Sequence, residues 1–516
     1  MHDCMRVDEI IRLFACELVA SRRKASAVAL ACSCKTFEDP VLDVLWETQK
    51  GLLPLFRSLP GDVWNGNAFT VSASIPFTCL SLNYLICKSF ERLPTTLEWA
   101  RFRKYARRMR ALVAFGGDRM PLGVLSALQV CTTNKPLFPN LNAFHPWSAT
   151  EKLAPFIPLF LSPATTLIHL SFHDSGFPKE TVASIITILP TLCPRLQDIT
   201  LHPLPSDPMI AAAVSGMLLA SNQHTLQYLC VDSPLMEEAR EVVYKLPNLR
   251  ELLVIIEKDS SLPSVVLPNL TELTIRCDHD GDWLGVFHGA TFGKLEAVNF
   301  HSRFGPFGDF LEAFKEVVIT TPTFATLSAF RSSTQCPWMP NYRALLPFTQ
   351  LEEIDIDFLC VGRCSSTIDD DIITDMARAM PRLEVLRLGG RPCKAPTGVT
   401  ANGLAALAYH CPHLSTLRIH FQVANFHPPT TPSVTSGGTP NILREDCALS
   451  YLDVGCIPMP AESTVVVALT LLRLFPHLDE IEYWGEGGWE AVADAIDTSK
   501  RFVDHSSKKL SRCTSK

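Results

Sequence analysis

Hydrophobic positions recur along most of the chain in one short pattern, Leu-x-x-Leu-x-Leu, in which aliphatic or aromatic residues replace some leucines. Weaker copies of the pattern begin at Met109, Leu141 and Leu327. The clear copies begin at Leu167, Leu196, Leu226, Leu249, Leu270, Leu295, Leu351, Leu383, Leu414, Leu449 and Leu478. Alternating apolar positions are typical of strands that bury one face. The pattern therefore predicts a strand at each copy.

The segments between the copies predict helices. Apolar residues at helical spacing occur in residues 181–189, 210–219, 235–246, 372–380 and 403–410. Pro194, Pro247 and Pro412 follow three of these segments, and proline ends a helix. One strand and one helix cannot bury their own apolar faces, so neighbouring units must stack. At about 28 residues per copy, we predict an α/β fold, a leucine-rich-repeat solenoid forming a parallel-stranded horseshoe over residues 109–495.

The N-terminal residues follow a different pattern, which predicts three short helices. The first helix has one apolar face, formed by Val7, Ile10, Ile11 and Phe14. Residues 25–32 predict a second helix. The third is expected to begin at Asp39 and Pro40, because aspartate caps helices and proline suits the first helical position.

These residues resemble a known family. Residues 7–14 (VDEIIRLF), 29–37 (ALACSCKTF) and 39–46 (DPVLDVLW) resemble an F-box, and are especially similar to the F-box-like domains of mushroom-type fungi. That family normally continues into leucine-rich repeats. The Leu-Pro that usually opens an F-box is Arg6-Val7 here.

The resemblance implies a role as substrate receptor of an SCF-type ubiquitin ligase. An F-box binds a Skp-type adaptor, which links it to a cullin scaffold, and the repeats bind a substrate protein whose identity the sequence does not give. The residues carried over as adaptor contacts are Val7, Ile10, Ile11, Phe14, Leu30, Phe37, Leu42, Leu45 and Trp46. The alternative for each is a place in the core of the three helices. For the whole chain, the alternative is a repeat scaffold without a ligase role.

The domain organisation follows from these patterns. We predict an F-box-like helical domain over residues 1–58 and a linker with a helix leading into the first repeat over 59–108, including an irregular insertion at 65–90. After the repeats, the basic residues 496–516 are expected to be disordered, and residues 427–441 to form a flexible loop.

Strand alternation also predicts which side chains point out of the core. In each copy this is the middle residue of the final Leu-x-Leu. Along the chain these residues are Ser171, Thr200, Cys230, Leu253, Thr274, Asn299, Arg331, Asp355, Arg387, Arg418, Asp453 and Glu482. The first six are uncharged and the last six are charged. With the flanking Glu353 and Asp357, the charged residues are our candidates for substrate binding. They form either a docking patch or a ladder that pairs internally, as Arg331–Asp355–Arg387 and Arg418–Asp453.

Composition and motifs argue against other classes of function. The net charge is −7 and the basic residues are dispersed, so the sequence does not predict the basic patch that nucleic-acid binding needs. Apolar stretches are too short to span a bilayer and the N-terminus lacks a secretory pattern, so we expect a cytoplasmic and/or nuclear protein. The eighteen cysteines include no Cys-x-x-Cys, and His169 and His173 lie across a strand. We therefore expect no metal, no cofactor and no catalytic residue, with a Cys–His hydrolase as the third interpretation.

Overall fold

The fold is α/β and is built on a parallel sheet of fifteen strands in a computed structural model of the chain. The structure describes residues 7–63, 90, 92–116, 122–131, 136–148, 153–172, 178–202, 204, 207–220, 224–232, 235–255, 266–277, 291–302, 310–312, 314–315, 327–335, 341–359, 368–390, 397–423, 426, 447–484 and 488–514. The expected insertion at 65–90, apart from residue 90, and the expected loop at 427–441 lie outside these residues.

The strands confirm the repeat prediction, because each of the fourteen predicted copies contains one. The strands are β1 (Thr48–Gln49), β2 (Ala111–Gly116), β3 (Ala143–Ser148), β4 (Leu167–Leu170), β5 (Asp198–Leu201), β6 (Tyr228–Val231), β7 (Glu251–Ile255), β8 (Val266–Leu267), β9 (Glu272–Cys277), β10 (Thr291–Phe292), β11 (Ala297–Ser302), β12 (Ala329–Gln335), β13 (Glu353–Leu359), β14 (Val385–Leu388), β15 (Thr416–Arg418), β16 (Tyr451–Asp453) and β17 (Glu480–Glu482). They follow chain order in the sheet, except that β8 and β10 form a separate parallel pair.

Helices occupy most of the predicted segments between strands. They are α1 (Asp8–Ala20), α2 (Lys24–Ser33), α3 (Lys35–Glu47), α4 (Leu53–Phe56), α5 (Thr96–Ala106), α6 (Leu122–Cys131), α7 (Ile157–Phe160), α8 (Lys179–Leu192), α9 (Pro208–Ala220), α10 (Glu237–Val243), α11 (Asp370–Ala379), α12 (Ala401–His410), α13 (Thr464–Leu474) and α14 (Trp489–Thr514). Short 3₁₀ helices occur at Ala154–Phe156, Tyr342–Leu345 and Ala461–Ser463.

The chain divides into two compact units, residues 1–249 and 250–516. In each unit, one row of apolar side chains crosses the strands in register on the core side. In the second unit, for example, Leu386 of β14 pairs with Leu417 of β15, which pairs with Leu452 of β16, and all three are buried. Burial of such side chains contributes about 1.5–3 kcal/mol each, so stacking stabilises each repeat through its neighbours.

The N-terminal helices have a core of their own and are also joined to the sheet. Ile11, Ala27 and Phe37 are buried in a cluster formed by α1, α2 and α3. The chain then forms β1, whose Thr48 pairs with Ala111 of β2. The sequence prediction of a purely helical domain through residue 58 missed this strand. A two-residue strand is too short to carry a periodic pattern, but it gives the edge of β2 a backbone partner.

The third helix begins one turn earlier than predicted. Cys34, with extended backbone angles, is the N-cap of α3, and Pro40 lies inside the helix. Asp39 forms an ion pair with Arg108 rather than capping the helix. Burial of Phe37 against α1 and α2 accounts for the added turn, since this side chain reaches the core from within the helix.

The C-terminal residues that we expected to be disordered instead continue α14 as far as Thr514. The helix is anchored at its start, where buried Trp489 donates a hydrogen bond from Nε1 to the Ile457 carbonyl at 2.8 Å. Lys500 Nζ also donates to the Leu478 carbonyl at 2.5 Å. Residues added to an anchored helix avoid the cost of nucleation, and the basic residues of the tail are good helix formers.

One carboxylate links two successive repeat helices. Asp370, in the first turn of α11, accepts hydrogen bonds from the backbone N–H groups of Thr400 (2.7 Å) and Gly403 (3.0 Å) at the start of α12. A Cβ at Gly403 would lie 2.6 Å from Asp370 Oδ1, so this approach requires glycine. The side chain therefore satisfies N–H groups that a helix start leaves without intrahelical partners.

We predict that Asp370→Ala lowers the free energy of unfolding by about 1–2 kcal/mol, because two backbone donors lose their acceptor. Urea denaturation of the full chain measures the change. The matched control is Asp371→Ala at the neighbouring exposed position, which should alter stability by less than about 0.5 kcal/mol. Equal effects of the two variants would contradict the assigned linkage.

Candidate functional site

The outward-facing side chains of the second unit form one row across the sheet, in the predicted register. Each member pairs with the next across adjacent strands, in the order Leu253, Thr274, Asn299, Arg331, Asp355, Arg387, Arg418, Asp453 and Glu482. We call this side of strands β7, β9 and β11–β17 the row face. Six of our eight candidate substrate-binding residues belong to the row, and Glu353 and Asp357 flank Asp355 on β13.

In the first unit, the register corrects one predicted outward residue. His169, not Ser171, pairs with Thr200 of β5, which in turn pairs with Cys230 of β6. Ser171 is buried beyond the end of β4. The error arose because two overlapping sets of residues fit the motif. The prediction used Leu167, Leu170 and Phe172, whereas in the structure Ile168 and Leu170 face the core, which moves the motif two residues earlier.

Two histidines stack on this outward side of the first unit. The rings of His145 and His169 are 4.0 Å apart between centroids and nearly parallel. Partial burial lowers the pKa of His145, which favours the neutral ring. His173, which lies four residues after His169 in the sequence, is outside the described residues. The pair gives the neutral first half of the predicted surface an aromatic character.

Arg331 is held by a carboxylate on the next strand. Its Nε donates to Glu353 Oε1 at 2.9 Å and its Nη2 donates to Glu353 Oε2 at 2.6 Å. This two-bond contact raises the pKa of Arg331 and lowers the pKa of Glu353. The predicted ladder had paired Arg331 with Asp355, but the long arginine side chain reaches the carboxylate two residues earlier on β13.

The other two arginines of the row pair as the ladder predicted. Arg387 Nη1 lies 3.0 Å from Asp355 Oδ2, and Arg418 Nε lies 3.0 Å from Asp453 Oδ2. A second nitrogen of Arg418 is 3.9 Å from Asp355 Oδ1. Arg387 and Arg418 are direct neighbours in the sheet, so the aspartates on either side compensate two adjacent positive charges.

Burial separates the structural members of the row from the accessible ones. Arg418 is only 7% exposed and Asp453 is fully buried, so these two members of the outward row are covered by their neighbours. Asp453 also accepts a hydrogen bond from the backbone N–H of Gly455 at 2.9 Å. In contrast, the side chain of Asp357 is 50% exposed. The Arg418–Asp453 pair therefore holds strands together, whereas Asp357 is open to a partner.

Two further side chains on the row face were not predicted. Each lies two residues before the row on its strand, and therefore on the same side of the strand. Glu272 accepts a hydrogen bond from Asn299 Nδ2 at 2.5 Å, and Tyr451 donates its hydroxyl to Glu482. The same strand alternation that identified the middle residues would have found both, since they lie two positions before the row on β9 and β16.

The candidate adaptor contacts divide into core and surface positions. Ile11 and Phe37 are buried, and Leu30 and Leu45 pack against the same cluster. Ile10 and Leu42 are half-buried. Trp46 stacks on Tyr105 of α5 with 4.7 Å between ring centroids. By contrast, Val7 and Phe14 are exposed, at 42% and 53%. Of the predicted set, these two are the most accessible.

Two further exposed hydrophobic residues were not predicted. Leu13 of α1 and Val28 of α2 are also large apolar side chains open to solvent. In a helix with apolar residues around most of its circumference, spacing alone does not tell which face is covered. We call Val7, Leu13, Phe14 and Val28 the N-terminal apolar set.

An ion-pair network connecting α1, α3 and the end of α5 was also missed. Asp43 pairs with both Arg12 and Arg108, and Arg108 also pairs with Asp39. The Arg108 side chain is largely covered. These pairs hold the three-helix cluster against the start of the repeats. No local sequence motif predicts them, because the partners are tens of residues apart in sequence.

The described residues offer little chemistry. Burial raises the pKa of Cys193 to about 11 and of Cys411 to about 12, which keeps both thiols protonated. Across the described ranges, no cluster of three or more His, Cys, Asp or Glu side chains is arranged to hold a metal ion. Nor does any helix within those ranges have the length and hydrophobicity needed to cross a bilayer.

Comparison with known proteins yields little similarity. No family model matches the chain, and no curated protein matches it. Among solved structures, one match is the plant peptide hormone receptor RGFR1 in complex with RGF2, at 12% sequence identity and a TM-score of 0.17, covering 74% of this chain and 68% of that chain. At so low a TM-score, no property of that receptor is transferred to this chain.

We predict that Asp453→Asn lowers the free energy of unfolding by about 2–4 kcal/mol, because the buried Arg418 guanidinium loses its charged partner. Urea denaturation of the full chain measures it. The control, Glu480→Gln, neutralises an exposed carboxylate on the adjacent strand and should change stability by less than about 0.5 kcal/mol. A loss no larger than that of the control would show that the pair does not stabilise the sheet.

Proposed function

We propose that this chain is a non-catalytic substrate receptor of an SCF-type ubiquitin ligase. In this proposal, the N-terminal helices are an F-box-like domain that binds a Skp-type adaptor and, through it, a cullin scaffold. The strand-and-helix units are leucine-rich repeats that bind a substrate protein, in the cytoplasm, the nucleus or both.

The exposed N-terminal apolar set is the observation that carries the proposal. The cluster of α1, α2 and α3 already buries Ile11, Phe37 and Val41, so its own core does not require Phe14, which stays 53% exposed. Large apolar side chains that a small helical domain leaves exposed favour a protein interface over a purely internal role. The F-box-like residues of the sequence indicate an adaptor as the partner.

The row face supports the second half of the proposal. Its alternate side chains include exposed acidic residues as well as internally paired arginines. Trp484, just beyond β17, is 47% exposed, and aromatic residues are enriched in protein interfaces. A broad face of this kind suits a macromolecular partner better than a small molecule.

A repeat scaffold without a ligase role is the second candidate, and the join between helices and sheet favours it. β1 pairs with β2, Trp46 stacks on Tyr105, and Arg108 bridges to Asp39 and Asp43. These contacts make the N-terminal helices a cap for the first repeat, a function that needs no adaptor.

We expect Phe14→Glu to weaken binding to a purified fungal Skp-type adaptor by about tenfold or more, because it places a charge in the centre of an apolar contact. The matched control is Leu97→Glu at an exposed position of α5, which should bind as the wild type does. Pull-down with the full chain measures binding, and circular dichroism confirms folding. A folded wild-type chain that does not bind the adaptor would contradict the ligase role and favour the scaffold without a ligase role.

A further inference from the structure

The outward side of α9 lacks the charges that an exposed helix normally carries. Residues 208–231, which include all of α9, contain no aspartate, glutamate, lysine or arginine. Two large side chains of this helix, Met209 and Leu219, are each 47% exposed. By contrast, the next helix, α10, has the exposed acidic residues Glu237 and Glu241. An exposed apolar surface of this kind is typical of a contact with another protein.

The neighbouring helix α8 extends this uncharged surface. α8 contacts α9 directly, and its charged residues, Lys179 and Glu180, lie only in its first turn. On its exposed side, the Ser184 hydroxyl donates to the Glu180 carbonyl at 2.7 Å. The Thr187 hydroxyl donates in the same way to the Ala183 carbonyl at 2.8 Å. Since both hydroxyls have acceptors within the helix, covering them with a partner leaves neither donor unsatisfied.

Four exposed residues of α9 form a stripe that is symmetric about the middle of the helix. They are Met209, Ala212, Gly216 and Leu219, and we call them the α9 stripe. Their spacings of three, four and three residues place them on one helical face. Along the stripe the side chains are large, small, small and large. The large pair and the small pair are both centred on position 214, the middle residue of α9.

This symmetry makes the α9 stripe complementary to a second copy of itself. When two such helices cross in antiparallel orientation about a two-fold axis at position 214, Met209 of one copy faces Leu219 of the other. Ala212 of each copy then faces Gly216 of the other. Small residues at the crossing point let the two helix axes approach closely, and the large side chains pack on either side. A helix that binds an unrelated partner has no need of this symmetry.

Nothing in the described structure requires glycine at position 216. A Cβ built at Gly216 would meet no heavy atom within 4 Å. Glycine inside a helix is also less stable than alanine. A second helix crossing at this point supplies a reason for glycine, because a Cβ there would hold the two backbones apart.

We propose that this chain forms a two-fold symmetric dimer through the outward faces of α6 to α9, centred on the α9 stripe. Beyond the first turn of α8, the described residues of these four helices carry no charge, so two copies approach without repulsion. With neighbouring helices about 10 Å apart and the longer ones about 20 Å long, these faces cover on the order of 600–800 Å². A stable interface takes about 800 Å² from each partner. The dimer goes beyond the proposed ligase role and does not depend on it.

Size-exclusion chromatography with light scattering on the full chain tests the proposal. At micromolar concentration, the wild type should have twice the 57.2 kDa mass of one chain. Ala212→Glu and Gly216→Lys should each be monomeric, because either change places an unpaired charge at the crossing point. Both positions are exposed on a helix, where glutamate and lysine are well tolerated, so circular dichroism should match the wild type. The matched control, Ala491→Glu at an exposed position of α14, should remain dimeric.

Mixing the two variants tests the antiparallel crossing. In the proposed dimer, position 212 of one copy faces position 216 of the other. An equimolar mixture of the Ala212→Glu chain and the Gly216→Lys chain therefore brings opposite charges together and should form a heterodimer, although neither variant dimerises alone. A mixture that stays monomeric would contradict the assigned crossing and overturn the proposal.

Two further results would overturn it. A monomeric wild-type chain would leave the uncharged face to a different partner. Dimers that persist in the Ala212→Glu variant would have to form through another surface. None of these outcomes bears on adaptor binding, which the Phe14→Glu pull-down measures separately.

Discussion

The parallel backbone ladder is the interaction on which every repeat depends. A single strand and helix leave one apolar face and two rows of backbone hydrogen-bonding groups uncovered, and only the next repeat can cover them. Buried residues such as Leu386, Leu417 and Leu452 align across neighbouring strands and fix the register. A slip of one residue would turn Arg418 into the core, so any other register is strongly disfavoured.

The same register places equivalent side chains of successive repeats about 4.8 Å apart, so charged side chains at equivalent positions interact directly with each other. Arg387 and Arg418 are direct neighbours and would repel each other alone. Asp355 precedes them in the row and Asp453 follows, so each arginine turns toward a carboxylate. Of the two alternatives that the sequence left open, the internal ladder is present for Arg387 and Arg418. These ion pairs hold neighbouring strands together.

Features that recur in every repeat could be predicted from the sequence, whereas contacts that occur once could not. The strands and the row from Leu253 to Glu482 follow from a motif repeated many times, so errors in one copy are corrected by the others. The outward residue of the copy at Leu167 was wrong because two overlapping choices of leucines fit the motif there. β1 and the Arg108 contacts occur once and join distant segments, so no period reveals them. Burial of Asp453 depends on the arginine beside it, which a strand pattern does not include.

The two ends of a repeat array face the same problem, because the terminal strand has no further repeat to cover it. At the C-terminal end, α14 covers the last repeat: Trp489 is buried, and Lys500 caps the Leu478 carbonyl just before β17. At the N-terminal end, β1 extends the sheet, and the buried Phe102 of α5 packs against Phe56 and Trp99. The N-terminal cap continues into a three-helix cluster with its own core, formed by residues such as Ile11, Ala27 and Phe37. The two ends therefore meet the same requirement with different elements, a helix that follows the last strand and a strand that continues from three packed helices.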